Sequence, residues 1–285
     1  MSAAEPNREF SAHSIATLLL AAAQMPFGST MIAVALPSMA AGFAVDIVSM
    51  ASLLVTGYIV VSLVTQGPGG RLGDLFGQQR TLWLGMALYT VAALLAFFSP
   101  NLTVLVVARL MAGIAGALTL PASMALLRNG VRPERRGRIF GLYGATLALS
   151  TALGPFVGGE LLTWFSWRAV FLANLPFLVL IALVWWLRPL ELPPTPATTS
   201  KRGSLATRLD LAGVAWLTLA LVLLMTLFKV DENLRVAQFV AFLMAAAAFV
   251  LTERKARHAV FDAALFRKPA FANGCLGMAA QKFVL

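Results

Sequence analysis

Eight separate stretches of this 285-residue chain are apolar for long enough to cross a lipid bilayer as helices. Crossing roughly 30 Å of hydrocarbon at 1.5 Å per residue takes about 20 residues. The stretches occupy approximately residues 14–36, 50–68, 82–98, 102–127, 138–162, 169–187, 211–228 and 236–252, and a ninth starts near Phe271 and is cut off at Leu285. With 59% of residues hydrophobic and 12% charged, no soluble fold of this size hides the apolar surface. The chain therefore reads as an all-α integral membrane protein whose first partner is the lipid bilayer. Residues 1–12 are polar, and the apolar run behind them is too long for a signal-peptide core and lacks a sharp cleavage pattern, so it reads as a retained first span.

There are 22 Lys and Arg against 12 Asp and Glu, a balance that suits either nucleic acid or the inner face of a membrane. Position decides between them. With a cytoplasmic N-terminus, the inner segments hold Arg8, the pair Arg71 and Arg80, the cluster Arg128, Arg132, Arg135, Arg136 and Arg138, and the groups at 188–208 and 254–268. The outer loops hold Arg168, Lys229 and Arg235, while Arg109 and Lys282 lie inside spans. That asymmetry is what the positive-inside rule requires. It predicts a multi-pass protein of the plasma (cytoplasmic) membrane with its N-terminus in the cytoplasm, and it accounts for the basic charge without nucleic acid. Trp83, Trp164, Trp167, Trp185 and Trp186 fall near span ends and read as interface anchors. Residues 188–210, rich in Pro, Thr and Ser with both charge signs, read as a cytoplasmic linker. It separates a six-helix bundle at 1–187 from two helices at 211–252 and from 253–285, a cytoplasmic loop and the start of a second bundle.

Three motifs carry more specific information. Between the second and third spans, GGRLGDLFGQQR sets Gly70, Leu72, Asp74 and Gly77 in a short inner loop. Glycines there permit a tight turn, and Asp74 can pair with a cation or face a helix N-terminus, although an ordinary hydrophilic turn has the same composition. In the fourth span, ARLMAGIAGA places Arg109 several residues inside the outer boundary. A guanidinium in hydrocarbon is costly unless it snorkels to the interface, pairs, or faces water, so it marks a functional site unless it snorkels. In the fifth span, STALGPFVGGE puts Ser150, Gly154 and Gly158 at i, i+4 and i+8 on one face, where small side chains let a neighbouring backbone approach, and Pro155 bends the helix.

Together these motifs resemble those of the major facilitator superfamily. The first is similar to its cytoplasmic-loop signature G-x-L-a-D-r-x-G-r-k, with Leu75, Gln78 and Gln79 where basic residues are usual, which implies a weakened charge latch. The second is similar to the helix 4 motif R-x-x-q-G-x-g-a through Arg109 and Gly113, with Ala112 in place of the glutamine. The third resembles the antiporter-associated g-x-x-x-G-P-x-x-G-G through Gly154, Pro155, Gly158 and Gly159, with Ser150 at the first glycine. VALP at 34–37 and WRAVFLANLP at 167–176, similar to W-R-W-x-F-x-x-N-x-P, extend the likeness towards the fourteen-helix drug:proton antiporter branch, which inserts two helices after the first six. In that branch the helix 1 pattern l-D-x-t-i-v-n-v-A-L-P puts an acid where this chain has Gly28 and an asparagine where it has Ala33.

The resemblance implies the superfamily's N-terminal six-helix bundle, two extra helices and a partial ninth. It also implies secondary active transport: multidrug or small-molecule efflux of a hydrophobic or cationic substrate by alternating access, coupled to proton antiport. Fourteen spans need roughly 280 residues before loops are counted, and one bundle presents half of a midplane site. A second chain supplying the missing helices, or a non-transporting truncated fragment, are the other readings.

Proton coupling needs a group that changes protonation while facing each side in turn, and buried carboxylates serve because desolvation raises their pKa. Of the acids only Glu160 falls within a predicted span, near its outer end. Coupling then rests on Glu160 with Arg109, on an acid outside this sequence, or is absent. Candidates to line a central path are Gln24, Ser29, Thr30, Arg109 and Ser150, although Ser29 and Thr30 can equally bond back to their own helix. His13 and His258 are isolated, no metal-ligand spacing or Ser/His/acid grouping occurs, and no G-x-x-x-x-G-K-[ST] phosphate loop is present. The sequence thus points to no cofactor, no metal and no enzyme. The lone Cys275 provides no disulfide framework.

Overall fold

The computed structural model describes residues 10–187, 211–227 and 232–255. The expected linker at 188–210, the start of a ninth span, His258 and Cys275 lie outside the described residues. The chain divides into two units, Met1–Lys201 and Arg202–Leu285. Among the described residues, seven helices are long and apolar enough to cross a membrane.

The first unit consists of α1 (Ala12–Phe43), α2 (Ile47–Phe76), α3 (Gln78–Phe97), α4 (Leu102–Gly130), α5 (Pro133–Trp164) and α6 (Ala169–Leu187). In hydrocarbon each backbone N–H and C=O must be satisfied within the protein, and a continuous helix does this from its own segment. The ends are set by local chemistry. Asp46 Oδ1 accepts from Ser49 N at 2.8 Å and Asn101 Oδ1 accepts from Val104 N at 3.0 Å, capping α2 and α4. Pro133 opens α5 at a first-turn position where its missing N–H costs nothing. Helices α1 and α5 each run 32 residues, about 48 Å, well past the apolar stretches read from sequence, because charged residues such as those at 132–138 continue the helix beyond the hydrocarbon.

The second-to-third junction departs from the expected loop. Helix α2 continues to Phe76 and α3 starts at Gln78, so Gly70, Leu72 and Asp74 sit in the last turns of a helix and Gly77 alone makes the turn, with φ +97°. That backbone region is open mainly to glycine.

Helix α1 packs along α5 and also touches α4 and α6, while α3 and α2 both pack on α4. The α1–α5 seam is made by the glycine face expected from the sequence. A Cβ on Gly154 would stand 2.8 Å from Phe27 O, and one on Gly158 would stand 3.1 Å from Met31 Cα, so the two backbones lie directly against each other. Ser150 on the same face is half-buried, whereas Pro155 is exposed and Gly159 borders open space. Two apolar clusters fill the unit, one around Leu18, Met25, Leu82 and Leu127, the other around Met31, Met50, Leu54 and Leu105. Leu149, Phe156, Val179 and Trp186 face outwards, as residues bordering lipid do. The tryptophans divide: Trp164 and Trp186 are exposed, but Trp167 is buried against Phe43 and Phe171, and Trp83 stacks on Trp185. These last three join helices as well as lying near span ends.

The second unit contains α7 (Leu211–Thr226) and α8 (Glu232–Lys255). They pair, and Gln238 Nε2 near the start of α8 donates to Leu223 O at 3.0 Å and to Thr226 Oγ1 at 2.6 Å near the end of α7. Residues Leu234–Thr252 form the seventh membrane-length segment, while α7, at 16 residues, spans about 24 Å, and the end of the stretch expected there lies outside the described residues.

Candidate functional site

Arg109 sits seven residues from the start of α4, about 10 Å along its axis, and is only 3% exposed. The snorkelling alternative is excluded by this burial. Its Nε donates to Leu54 O of α2 at 3.1 Å, its Nη2 donates to Ser29 Oγ of α1 at 3.3 Å, and its guanidinium lies 4.0 Å from the centre of the Tyr58 ring. One side chain thus ties three helices. Leu54 belongs to a π-helical turn, Ser52–Thr56, set within α2. Such a turn interrupts the regular i→i+4 ladder and is common at functional sites, and here a carbonyl from it receives the buried cation.

A second polar group adjoins the first. Helix α6 breaks between Leu172 and Leu175. Pro176 explains the break, since it has no N–H to give the carbonyl of Leu172 and its ring crowds that carbonyl. Asn174, in the break, is 1% exposed and donates from Nδ2 to Tyr89 Oη on α3 and, at 3.3 Å, to Gln24 O on α1. Gln24 Nε2 and Asn174 Oδ1 have no partner although both are buried. Between these residues stands Gly28, where a Cβ would be 2.5 Å from both Asn174 Nδ2 and Tyr89 Oη. At the position where the resemblance places an acid, an amide and a phenol close over a glycine instead. Gly28, Tyr89, Ala92, Ala108, Arg109 and Phe171 are among the residues around a small cavity, with space for about one water molecule.

The structure therefore brings Gln24, Ser29 and Arg109 of the expected path into one neighbourhood. Thr30 bonds back to Pro26 O at 3.0 Å and Phe27 O at 3.1 Å, and Ser150 bonds back to Thr146 O at 2.8 Å. Glu160 is exposed and is not among the partners of Arg109. In the junction motif, Gln78 is buried and its Nε2 donates to Asp74 Oδ1 at 2.9 Å, an uncharged donor to the carboxylate where a basic residue was the expectation of the resemblance. Tyr58, Tyr89 and Asn174 were not among the sequence candidates. Asn174 carried a signal, standing in the N-x-P of the sixth-span motif, but a tyrosine in a span looks like any other amphipathic aromatic.

Chemically the group is a permanent cation held by neutral acceptors and an aromatic face. Among the described residues it has no carboxylate and no imidazole. A buried charge is tolerable only when paired or hydrogen-bonded, so the site is suited to attract a negative or strongly accepting group and to transmit its arrival to α1, α2 and α4.

The Major Facilitator Superfamily domain matches residues 18–280. The chain belongs to the major facilitator superfamily. Its relatives include proteins named as transporters, and, apart from the first residues of α1, the six apolar helices of the first unit lie within the matched region. It is 34% identical over 272 residues to an uncharacterized MFS-type transporter of Bacillus subtilis, covering 95% of this chain and 59% of that protein. It is 34% identical over 257 residues to the lincomycin resistance protein of Streptomyces lincolnensis, covering 86% and 50%. Against the multidrug efflux pump of Mycolicibacterium smegmatis the identity is 28% over 274 residues, covering 92% and 51%. The superfamily chain thus spans about half the length of the curated relatives it matches.

Proposed function

We propose that the carrier to which these helices belong exports small hydrophobic or cationic molecules by alternating access, with protons moving the other way. The observation that supports this most is Arg109: a buried cation bound to α1 through Ser29 and to α2 through Leu54 O lets a charge arriving nearby act on three helices at once. The relatives named for lincomycin resistance and multidrug efflux supply the substrate class and the direction. Proton exchange in this reading does not run through a Glu160–Arg109 pair, because Glu160 is exposed and apart from the arginine's partners. It uses a carboxylate elsewhere in the carrier, with Arg109 setting the electrostatic field.

The test is dye efflux from a bacterial strain lacking its own pumps. The chain is expressed alone and together with the complementary half of the Bacillus relative, and retention of a cationic dye is followed with and without a protonophore. Export that stops with the protonophore and with Arg109→Ala is the expected result. Export seen only on co-expression favours the chain acting as one part of a split carrier. Export indifferent to both the protonophore and Arg109→Ala would overturn the reading.

A further inference from the structure

We infer that Arg109 holds a small monovalent anion, of halide size, in the cavity beside Gly28. The polar side chains that line the cavity both carry donors. Around it stand Arg109 and Tyr89, and the remaining lining side chains are apolar or absent, among them Gly28, Ala92, Ala108 and Ala112. Two of the five guanidinium N–H groups are taken by protein acceptors, Leu54 O and Ser29 Oγ. Tyr89 Oη accepts from Asn174 Nδ2, which leaves its own hydrogen to donate. Among the described residues, three guanidinium N–H groups and a phenol O–H therefore have no protein acceptor.

Charge points the same way. The acids described in the first unit are accounted for elsewhere: Asp46 caps α2, Asp74 accepts from Gln78, and Glu134 and Glu160 are exposed. Among the described residues, a guanidinium 3% exposed between apolar helices is left with neutral partners alone, and burial without a counter-charge is strongly unfavourable. A water would occupy the space but would leave the charge uncompensated. A single-atom anion supplies the missing charge within a small space, whereas an anion built on a ring or a long chain is too large for space of about one water.

The inference concerns the same arginine as the export reading, but its test reads stability without flux, so either can fail while the other stands. Thermal unfolding of the purified full chain in lipid nanodiscs is followed in sodium gluconate while chloride, bromide or benzoate replaces gluconate at constant ionic strength, which holds screening fixed. A saturable rise in Tm with chloride and bromide, absent with benzoate, is expected. Tyr89→Phe, which removes one donor, should shift the halide midpoint upward. Ala112→Leu, which keeps Arg109 and fills the cavity, should abolish the halide response in a protein that still unfolds cooperatively, so the test does not depend on an Arg109 variant folding. A flat response of the unmodified chain means the cavity holds water only and overturns the inference. A response to benzoate but not halide, or a halide response unchanged by Ala112→Leu, overturns it as well.

Discussion

A single guanidinium organises the middle of the first unit, and its neighbours show why lysine is no substitute. Arg109 offers a planar fork that reaches Leu54 O through Nε and Ser29 Oγ through Nη2 while lying over Tyr58, and an ammonium cannot do all three from one position. Arg109→Lys should cost about 1.5–3 kcal/mol, the range for hydrogen bonds made by charged groups, measured by reversible unfolding in mixed micelles. A change below about 0.5 kcal/mol, typical of an unconstrained surface site, would show that the three contacts hold nothing. Gly154→Val tests the opposite situation, where nothing polar is lost but atoms are forced towards Phe27 O. Overpacking of this kind costs about 1–3 kcal/mol, and more where backbone must yield. At this scale the sequence was informative wherever a residue is expensive in hydrocarbon. Arg109 announces itself by charge, and Gly154 and Gly158 by their spacing. Tyr89 and Asn174 did not, since a buried hydrogen bond between distant helices leaves no local pattern, and the orientation of Ser29 towards the arginine could not be told from that of Thr30, which bonds back to its own helix.

The helices themselves were legible because each must span a fixed thickness, but their ends were not. A hydropathy window registers where hydrocarbon stops, whereas the helix stops where capping chemistry stops it, as Pro133 and Asn101 show. The junction between α2 and α3 is the sharpest case. A glycine-rich polar stretch looks like a loop, yet Asp74 and Gln78 hydrogen-bond across the break and only Gly77 leaves helical conformation. Gly77→Ala should therefore cost about 1–3 kcal/mol through backbone strain, while Gly70→Ala, with open space around it, should not destabilise. Both are checked by thermal unfolding. At the start of α2, the hydrogen bonds from Ser49 hold the Asp46 carboxyl below its usual range. A group depressed in the folded state contributes stability that is present above its unfolded pKa and lost as pH falls through the lower, folded value. Carboxyl-selective NMR titration should find the Asp46 midpoint below that of an unstructured aspartate, and Asp46→Asn should remove that part of the acid dependence of unfolding. A normal midpoint would mean the cap is not maintained.

For the molecule as a whole, the order and number of crossings in the first unit followed from sequence, but the pairing of α1 with α5 did not follow from chain order. That pairing depends on which faces carry small residues, and the spacing of Gly154 and Gly158 pointed to a close neighbour without naming α1. Orientation is the part the charge pattern alone predicts. In a background with Cys275→Ser, a cysteine at Asn101→Cys should react with a membrane-impermeant maleimide in intact cells, and one at Glu134→Cys should react only after the cells are opened. The reverse labelling would invert the proposed topology and place the basic α4–α5 segment outside. The glycine seam has a mechanical corollary. Where Gly154 and Gly158 set one main chain close on another, only Thr30 and Met31 put side-chain atoms into the seam, which leaves little to repack and therefore no ready slip plane. Helices α1 and α5 are bound to travel as a single strut, and any rearrangement in this unit must be absorbed at seams cushioned by larger side chains, where a change of rotamer can stand in for a gap.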